Sequence, residues 1–492
     1  MSTSHAGAGP LPPSPGEQTQ YAAYARRLRD KATQRAEAVR RQRLRGARSA
    51  DERIRALLDA GSFTELGSQA VHRSAAPGLA DRHPPGDAVV TGHGLVEGRP
   101  VCCFAQDFSV FGGSLGEVVG EKIVRLMDLA MDAGAPVVGI NDSAGGRIQE
   151  GPVAQSLYGQ IFARNVRLSG AVPQISLITG PCAGGAAYSP ALTDFVVMVD
   201  GLSHMFVTGP EVTRQSIGEA VGLDELGGAH MHSVRAGTAH YLAVDEDDAF
   251  AWTRALLGYL PARGEVLPGL RPPWTAADPA PTPPGPGRLP PPAGGFRDAR
   301  DVLAALLDDG DSLEVHAGYA PSVVVAFGRL GGCAVGVVAT QPLVEGGALT
   351  AAACDKIARF VRTCDAYGLP VVSLVDAPAS TRGGTLPGTG LGGARLLHAY
   401  AEATVPLLTV ATGVAAGLAH TALGSRRIGG DLHLAWPEAL VDGRDVWSAA
   451  GDGVVDEVLL PQDTRQHLHR ALWLLRDKRQ ERPPKKHDNL PL

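Results

Sequence analysis

One succession of polar and apolar positions occurs twice along the chain. A helix-length amphipathic segment is followed by Gly-x-Pro and then by a short run of apolar and β-branched residues. The run is PVVGIND (136–142) in the first half and PVVSLVD (370–376) in the second. Apolar runs of this length between amphipathic segments predict buried strands joined by helices, and so an α/β fold with a parallel sheet. Residues 1–20 are low in complexity and are expected to be disordered. Residues 21–60 read as helical. Residues 268–294, rich in proline, read as an extended linker between an N-terminal domain (21–267) and a C-terminal domain (295–492).

The two halves repeat one another in detail. Glu121-Lys122-Ile123 returns as Asp355-Lys356-Ile357, 234 residues on, and at the same shift Gly112-Gly113-Ser114-Leu115 matches Gly346-Gly347-Ala348-Leu349. One residue then drops out, and VPQISLITGPCAGGA (172–186) matches VPLLTVATGVAAGLA (405–419). Order, spacing and residue type agree, which is the mark of a duplicated unit.

Composition narrows the class. The net charge of -6 argues against nucleic acid as a partner. No apolar run is long enough to span a membrane, and the N-terminus lacks a signal pattern, so a cytoplasmic location is expected. The six cysteines form no C-x-x-C pair and several sit in apolar runs, which predicts buried, reduced thiols. His230 and His232 have no flanking ligand cluster, and no metal site is expected. The arginines of 21–60 (Arg26, Arg27, Arg29, Arg35, Arg40, Arg41 and Arg43) read first as a solvated helix face, and second as a dock for a partner or for CoA phosphates.

Chemistry is expected in the loops that follow the apolar runs. After PVVGIND comes Ser143-Ala144-Gly145-Gly146-Arg147. After PQISLIT comes Gly180-Pro181-Cys182-Ala183-Gly184-Gly185-Ala186. Open α/β sheets place ligands at the carboxyl ends of their strands. Glycine permits close backbone approach, and the start of a following helix offers free N–H groups. Two such groups form an oxyanion hole for a thioester oxygen as it becomes an enolate. Diglycines also serve simply for tight helix–strand packing, and on pattern alone that reading comes first. Gly112–Gly116 fits the G-x-S-x-G nucleophile elbow, but Ser114 becomes Ala348 in the second half, which counts against it. No G-x-x-x-x-G-K-[ST] phosphate loop occurs.

The segments DFSVFGGSLGEVVGEKIVRLMDLAMDAGAPVVGINDSAGGRIQEG, PQISLITGPCAGGAAYSPALTDFVVMVDGLSHMFVTGP and GEAVGLDELGGAHMHSVRAGTAH resemble the β subunits of acyl-CoA and propionyl-CoA carboxylases. So do RFVRTCDAYGLPVV, YAEATVP, LAWPEA and PPKKHDNLPL. The resemblance runs from about residue 21 to the end. It implies two tandem crotonase-like domains and an active site between the N-half of one protomer and the C-half of another. It implies acyl-CoA at the N-half, where Gly184 and Gly185 hold the thioester oxygen and Ser143, Ala144, Gly145, Gly146, Arg147, Ala183 and Ala186 line the substrate. It further implies carboxybiotin at the C-half, biotin carried on a separate biotin carboxylase or carrier subunit, no covalently bound cofactor, and a homo-oligomeric ring of six.

The C-half departs from the family pattern. Gly184 maps to Gly417, but Gly185 maps to Leu418, whose bulk is expected to block close approach. The family's Tyr-Gly-Gly-Ala-Tyr is replaced by Ala416-Gly417-Leu418-Ala419-His420, and its Pro-Gly-Phe by Pro378-Ala379-Ser380. After LAWPEA, a few dozen residues that form part of the family's biotin pocket are missing. These departures favour a biotin-independent decarboxylase of a malonyl-type thioester, on CoA or a carrier protein, of the kind associated with polyketide pathways. The alternatives are a working biotin-dependent carboxyltransferase, whose pocket is rebuilt by LVDGRDVWSAAGD, and an inactive assembly paralogue. His420 and Asp376 are the candidate proton donors.

Overall fold

The computed structural model describes residues 15–218, 220–260, 269–273, 296–377, 389–478, 480 and 483–490. The first half contributes strands β1 (Thr64–Leu66), β2 (Val89–Val96), β3 (Arg99–Gln106), β4 (Val137–Ser143), β5 (Gln174–Ala183), β6 (Phe195–Val199), β7 (His204–Phe206) and β8 (Tyr241–Ala243). The second contributes β9 (Ser312–Val315), β10 (Val323–Leu330), β11 (Cys333–Thr340), β12 (Val371–Ala377), β13 (Leu407–Ala415), β14 (Leu432–Ala435), β15 (Leu440–Val441), β16 (Arg444–Asp445) and β17 (Glu457–Val458).

They form an eight-stranded and a nine-stranded sheet. The first runs β1-β2-β3-β4-β5-β6-β8, with β7 beside β5; the second runs β9-β10-β11-β12-β13-β14-β17, with β15 beside β13 and β16 beyond it. The repeat in sequence is therefore a repeat in topology. The parallel reading holds from β3 to β8 and from β11 to β17. Each sheet opens, however, with three antiparallel strands, because the two-residue turns at Glu97-Gly98 and Gly331-Gly332 close tight hairpins.

Helices Glu117–Ala133 and Ala351–Ala366 carry the repeated Lys-Ile pair. Lys122 donates to the carbonyls of Gly86 and Val89. Lys356 donates to those of Tyr319 (2.8 Å), Ala320 and Val323 (2.6 Å), so the Val89 and Val323 bonds coincide under the 234-residue shift. Each amine satisfies carbonyls of the loop that leads into a sheet. Burial pulls both lysines down to about 8, with carboxylates beside them acting the other way.

The N-terminal expectation needs adjusting. Residues 1–14 lie outside the described residues, but a helix runs over Pro15–Arg43, where a proline in the first turn lacks only an N–H that the helix does not use. A turn at Leu44–Arg48 separates it from helix Ala50–Leu57, which starts at a Ser49/Glu52 capping box. Lys31, Arg35 and Glu65 pin the long helix to the body, and Arg26, Arg27, Arg29, Arg40, Arg41 and Arg43 face solvent. Of the proline-rich stretch 268–294, only 269–273 is described; there Arg271 N–H donates to the Gly331 carbonyl. All six cysteines are buried thiols. Among the described residues no helix is long and apolar enough to cross a membrane.

One apolar core crosses from half to half. Phe327 of β10 lies 6.0 Å from Phe195 of β6 and 4.9 Å from Phe360, centroid to centroid. Polar contacts close the same seam: Tyr367 Oη donates to Asp194 (2.6 Å) and Arg359 to the Thr193 carbonyl (2.8 Å).

Candidate active site

β5 ends at Ala183, and the chain turns through Gly184–Ala187 into the short helix Tyr188–Leu192. Gly184 has φ +66, in the region that favours glycine. The loop 143–147 leaves β4 beside this turn. Ser143 Oγ accepts the Gly145 N–H at 3.1 Å, and a Cβ on Gly145 (φ +103) would stand 2.8 Å from the Ala183 carbonyl oxygen. The structure thus brings the two glycine loops together, backbone against backbone.

Tyr158, on helix Pro152–Leu168, lies against both loops. A Cβ on Gly185 would be 3.1 Å from its ring, and one on Gly146 would be 3.6 Å away. Its hydroxyl is buried without a hydrogen-bond partner among the described residues, and burial raises its pKa. Sequence reasoning missed Tyr158, because an aromatic residue on a helical apolar face reads as ordinary core.

Arg147 and Ala144 part company. Ala144 is exposed, whereas Arg147 is buried and turned inward. Its guanidinium pairs in bidentate fashion with Asp87 (2.7 and 3.1 Å) and also reaches Glu150 (2.9 Å) and Ser114 Oγ (3.3 Å). It fastens the loop to the body. Ala183 is partly exposed at the turn, and Ala186 is buried, its carbonyl accepting the Cys182 thiol. Ser114 is not presented as a nucleophile: it is buried, and its hydroxyl donates to the Phe111 carbonyl at 2.7 Å. Beneath the turn, Asp142 is fully buried and paired with Arg53 at 2.8 Å, and Arg53 also holds Glu246. Burial raises the Asp142 carboxyl's pKa, and Arg53 opposes the rise.

The C-half turn also opens on a positive-φ glycine. β13 ends at Ala415, Gly417 has φ +58, and helix Leu418–Ala422 follows. Leu418 is half-buried, with its branch turned towards Gly393 on helix Thr389–Glu402; a Cβ there would touch its Cδ2 at 3.4 Å. Leu418 stands in the turn directly after Gly417, where the repeat places it. In the N-half the bulk is a tyrosine on the helix against glycine in the turn, and in the C-half it is a leucine in the turn against glycine on the helix.

The two candidate proton donors are not brought together. Asp376 shares the face of Val372 and Leu374 on β12, in a small cavity of about 10 Å³ with Arg297, Thr340, Thr412 and Trp436. It accepts the Val414 N–H at 2.9 Å, and burial raises its pKa. His420 lies on the other face, in helix Leu418–Ala422, with Nε2 3.8 Å from Asp442 and its ring 5.4 Å from that of His433. Buried His433 is pulled down to about 4, first by burial and then by His420. Pro378-Ala379-Ser380 lie outside the described residues. His232 makes a 2.7 Å bond to the Met205 carbonyl.

Two strand-to-helix turns led by positive-φ glycine stand at equivalent ends of two duplicated sheets. Residues 41–441 match the carboxyl transferase domain family, and the chain belongs to that family. It is 48% identical to the propionyl-CoA carboxylase beta chain of Saccharopolyspora erythraea, with 92% of each chain covered. It is 43% identical to the methylmalonyl-CoA decarboxylase subunit alpha of Veillonella parvula, covering 92% of this chain and 95% of that one. The structure of transcarboxylase 12S, a hexamer solved with hydrolysed methylmalonyl-coenzyme A bound, superimposes with a TM-score of 0.90 at 40% identity, covering 98% of this chain and 99% of that one. The chain is a carboxyltransferase-family enzyme similar to acyl-CoA carboxylase β subunits, and its two sheets are tandem crotonase-like domains.

Proposed function

We propose that the chain is the carboxyltransferase subunit of a biotin-dependent acyl-CoA carboxylase, working on the propionyl-CoA/methylmalonyl-CoA pair. The observation that carries this reading is the duplicated turn, Gly184 at φ +66 and Gly417 at φ +58, each at the end of an equivalent strand. The three relatives carboxylate, decarboxylate or transfer, and their names share one three-carbon acyl skeleton. All three reactions pass through an α-carbanion stabilised as an enolate.

In this reading the N–H groups of Gly184 and Gly185 receive the thioester oxygen as charge develops on it. Tyr158 backs the turn, Ala144, Gly146 and Ala183 border the substrate, and Arg147 with Ser143 holds the neighbouring loop in place. Biotin on a separate subunit would supply the carboxyl group at the Gly417–Leu418 turn, a reading supported by the positive φ that Gly417 shares with Gly184. His420, on the helix that follows that turn, is the proton-handling group in this reading. The two domains, 21–267 and 295–492, act within a homo-oligomer in the cytoplasm, with six copies as in transcarboxylase 12S.

The test is transfer of the carboxyl group from methylmalonyl-CoA to a biotinylated carrier, followed by mass spectrometry. Gly184→Val is expected to lower the rate by about a hundred- to a thousand-fold, the cost of an oxyanion donor. A second reading, biotin-independent decarboxylation, is favoured by one observation: Asp442 accepts the Gly417 N–H at 2.9 Å. Propionyl-CoA released without any biotin present, and no transfer, decides for it.

A further inference from the structure

The N–H of Gly417 already has an acceptor within the chain. Asp442 sits in the turn between β15 and β16 with φ +47, and two bonds fix it beside the end of β13. Its own N–H donates to the Ala415 carbonyl, and its Oδ1 accepts the Gly417 N–H, each at 2.9 Å. Its Oδ2 faces His420 Nε2 at 3.8 Å.

The duplicated half shows what the same place looks like without that acceptor. β7 pairs with β5 as β15 pairs with β13, so that Met205 answers to Val441 and Phe206 to Asp442. Phenylalanine has no hydrogen-bonding atom on its side chain. The N-half therefore carries no such side-chain acceptor at the residue that corresponds to Asp442. Asp442 lies in LVDGRD, just after LAWPEA, where the sequence departs from the family pattern.

We propose that the Asp442 carboxylate is a built-in latch on the C-half turn: it holds the Gly417 N–H that a carbonyl oxygen of an incoming carboxyl carrier requires, and a ligand binds there only by displacing it. The latch sets the affinity of the C-half for its carrier and leaves the acyl-CoA half alone. This inference rests on the carboxyltransferase reading for the identity of the carrier, and the probe is biocytin, a soluble biotin derivative.

Two variants separate the hydrogen bond from the charge. Asp442→Gly removes the acceptor and suits the positive φ. Asp442→Asn keeps an oxygen that accepts from Gly417 but loses the charge, and asparagine tolerates the same backbone region. Biocytin binding by calorimetry on the full chain is expected to tighten about tenfold or more in Asp442→Gly, the worth of one charge-assisted hydrogen bond, and clearly less in Asp442→Asn, which keeps a neutral acceptor. Hydrogen exchange of the peptide around Gly417 is expected to quicken in Asp442→Gly alone, with the rest of the chain unchanged, which verifies the fold. Equal affinity in all three proteins, absence of binding in all three, or an equal gain in Asn and Gly overturns the latch. Tighter biocytin binding in Asp442→Gly with no carboxyl transfer by either protein keeps the latch and removes the carboxyltransferase reading. Transfer by the native chain with no change in the variant does the reverse.

Discussion

A methyl group on Gly180 would overlap the carboxylate of Asp142, and one on Gly413 would overlap that of Asp376. The two glycines stand four residues before Gly184 and Gly417, so each acid is wedged under its turn at the same place in the repeat. The acids differ in freedom. Asp142 is fully buried and fixed by Arg53, whereas Asp376 is partly exposed beside a small cavity. Gly180→Ala is therefore expected to cost about 1–3 kcal/mol by overpacking, read as a shift in denaturation midpoint, and Gly413→Ala clearly less. Equal losses would show that Asp142 swings as freely as Asp376. The glycine turns themselves are legible in the sequence, because glycine with a following helix announces close backbone approach. What fills the space behind them is not: hydrophobic periodicity reports that Tyr158 is buried, but not that its ring touches Gly185 and Gly146. Nor does it report that Arg147 faces inward, since a charged residue after a glycine pair is equally compatible with a ligand or with the buried Asp87.

The repeated helix–loop–strand unit was legible because order and spacing survived duplication, and the structure gives the repeat a mechanical meaning in Lys122 and Lys356. Two features escaped at this scale. The antiparallel start of each sheet carries the same apolar runs as its parallel centre, so composition does not set direction. The helix from Pro15 begins in a polar, low-complexity stretch whose order comes later in that helix, from Lys31 and Arg35 gripping Glu65. The lysines yield a pH prediction. Lys122 loses its proton near 8 in the folded chain and near its ordinary 10.5 when unfolded. Between these values the unfolded state binds the extra proton, so the group's contribution to stability rises with pH, is fully present above 10.5, and is lost as pH falls through 8. Lys122→Met strands the carbonyls of Gly86 and Val89, costing about 1–3 kcal/mol each, and is expected to be destabilised at every pH. The gap between native and variant stability should widen from pH 8 to 10.5, by on the order of 2–4 kcal/mol in all. Buried cysteines such as Cys102, raised to about 11, pull stability down above pH 9, but they are present in both proteins and cancel in the difference. A gap independent of pH would mean that the amine stays charged in its cage.

A chain of two similar halves invites the picture of two independent bodies on a linker, and the seam argues against it. Phe327 belongs to the second sheet, yet its neighbours are Phe195 of the first sheet, Tyr259 of the helix that closes the first half, and Phe360 of the second. His240 and His316, one from each half, lie 4.2 Å apart with their rings tilted by 31°; both are pulled down by burial and stay neutral around neutral pH. The His316 N–H donates to the His240 carbonyl at 2.7 Å, and Tyr367 and Arg359 of the second half reach Asp194 and Thr193 of the first. Burying this face fixes how the two glycine turns are oriented relative to one another within the chain. Phe327→Ala removes a fully buried ring from the centre of the shared core and is expected to cost about 3–5 kcal/mol. The distribution of the loss is the informative part. If the seam is one cooperative unit, hydrogen-exchange protection falls together in β5 and β6 of the first sheet and in β10 and β11 of the second. If the halves open separately, the loss stays within residues 296–478 while the first sheet keeps its protection, and Phe195 is then only a neighbour across a weak joint. A joint loss would also make acyl-CoA added to the first half protect the second, because a ligand that binds only the folded state stabilises every segment that unfolds with its site.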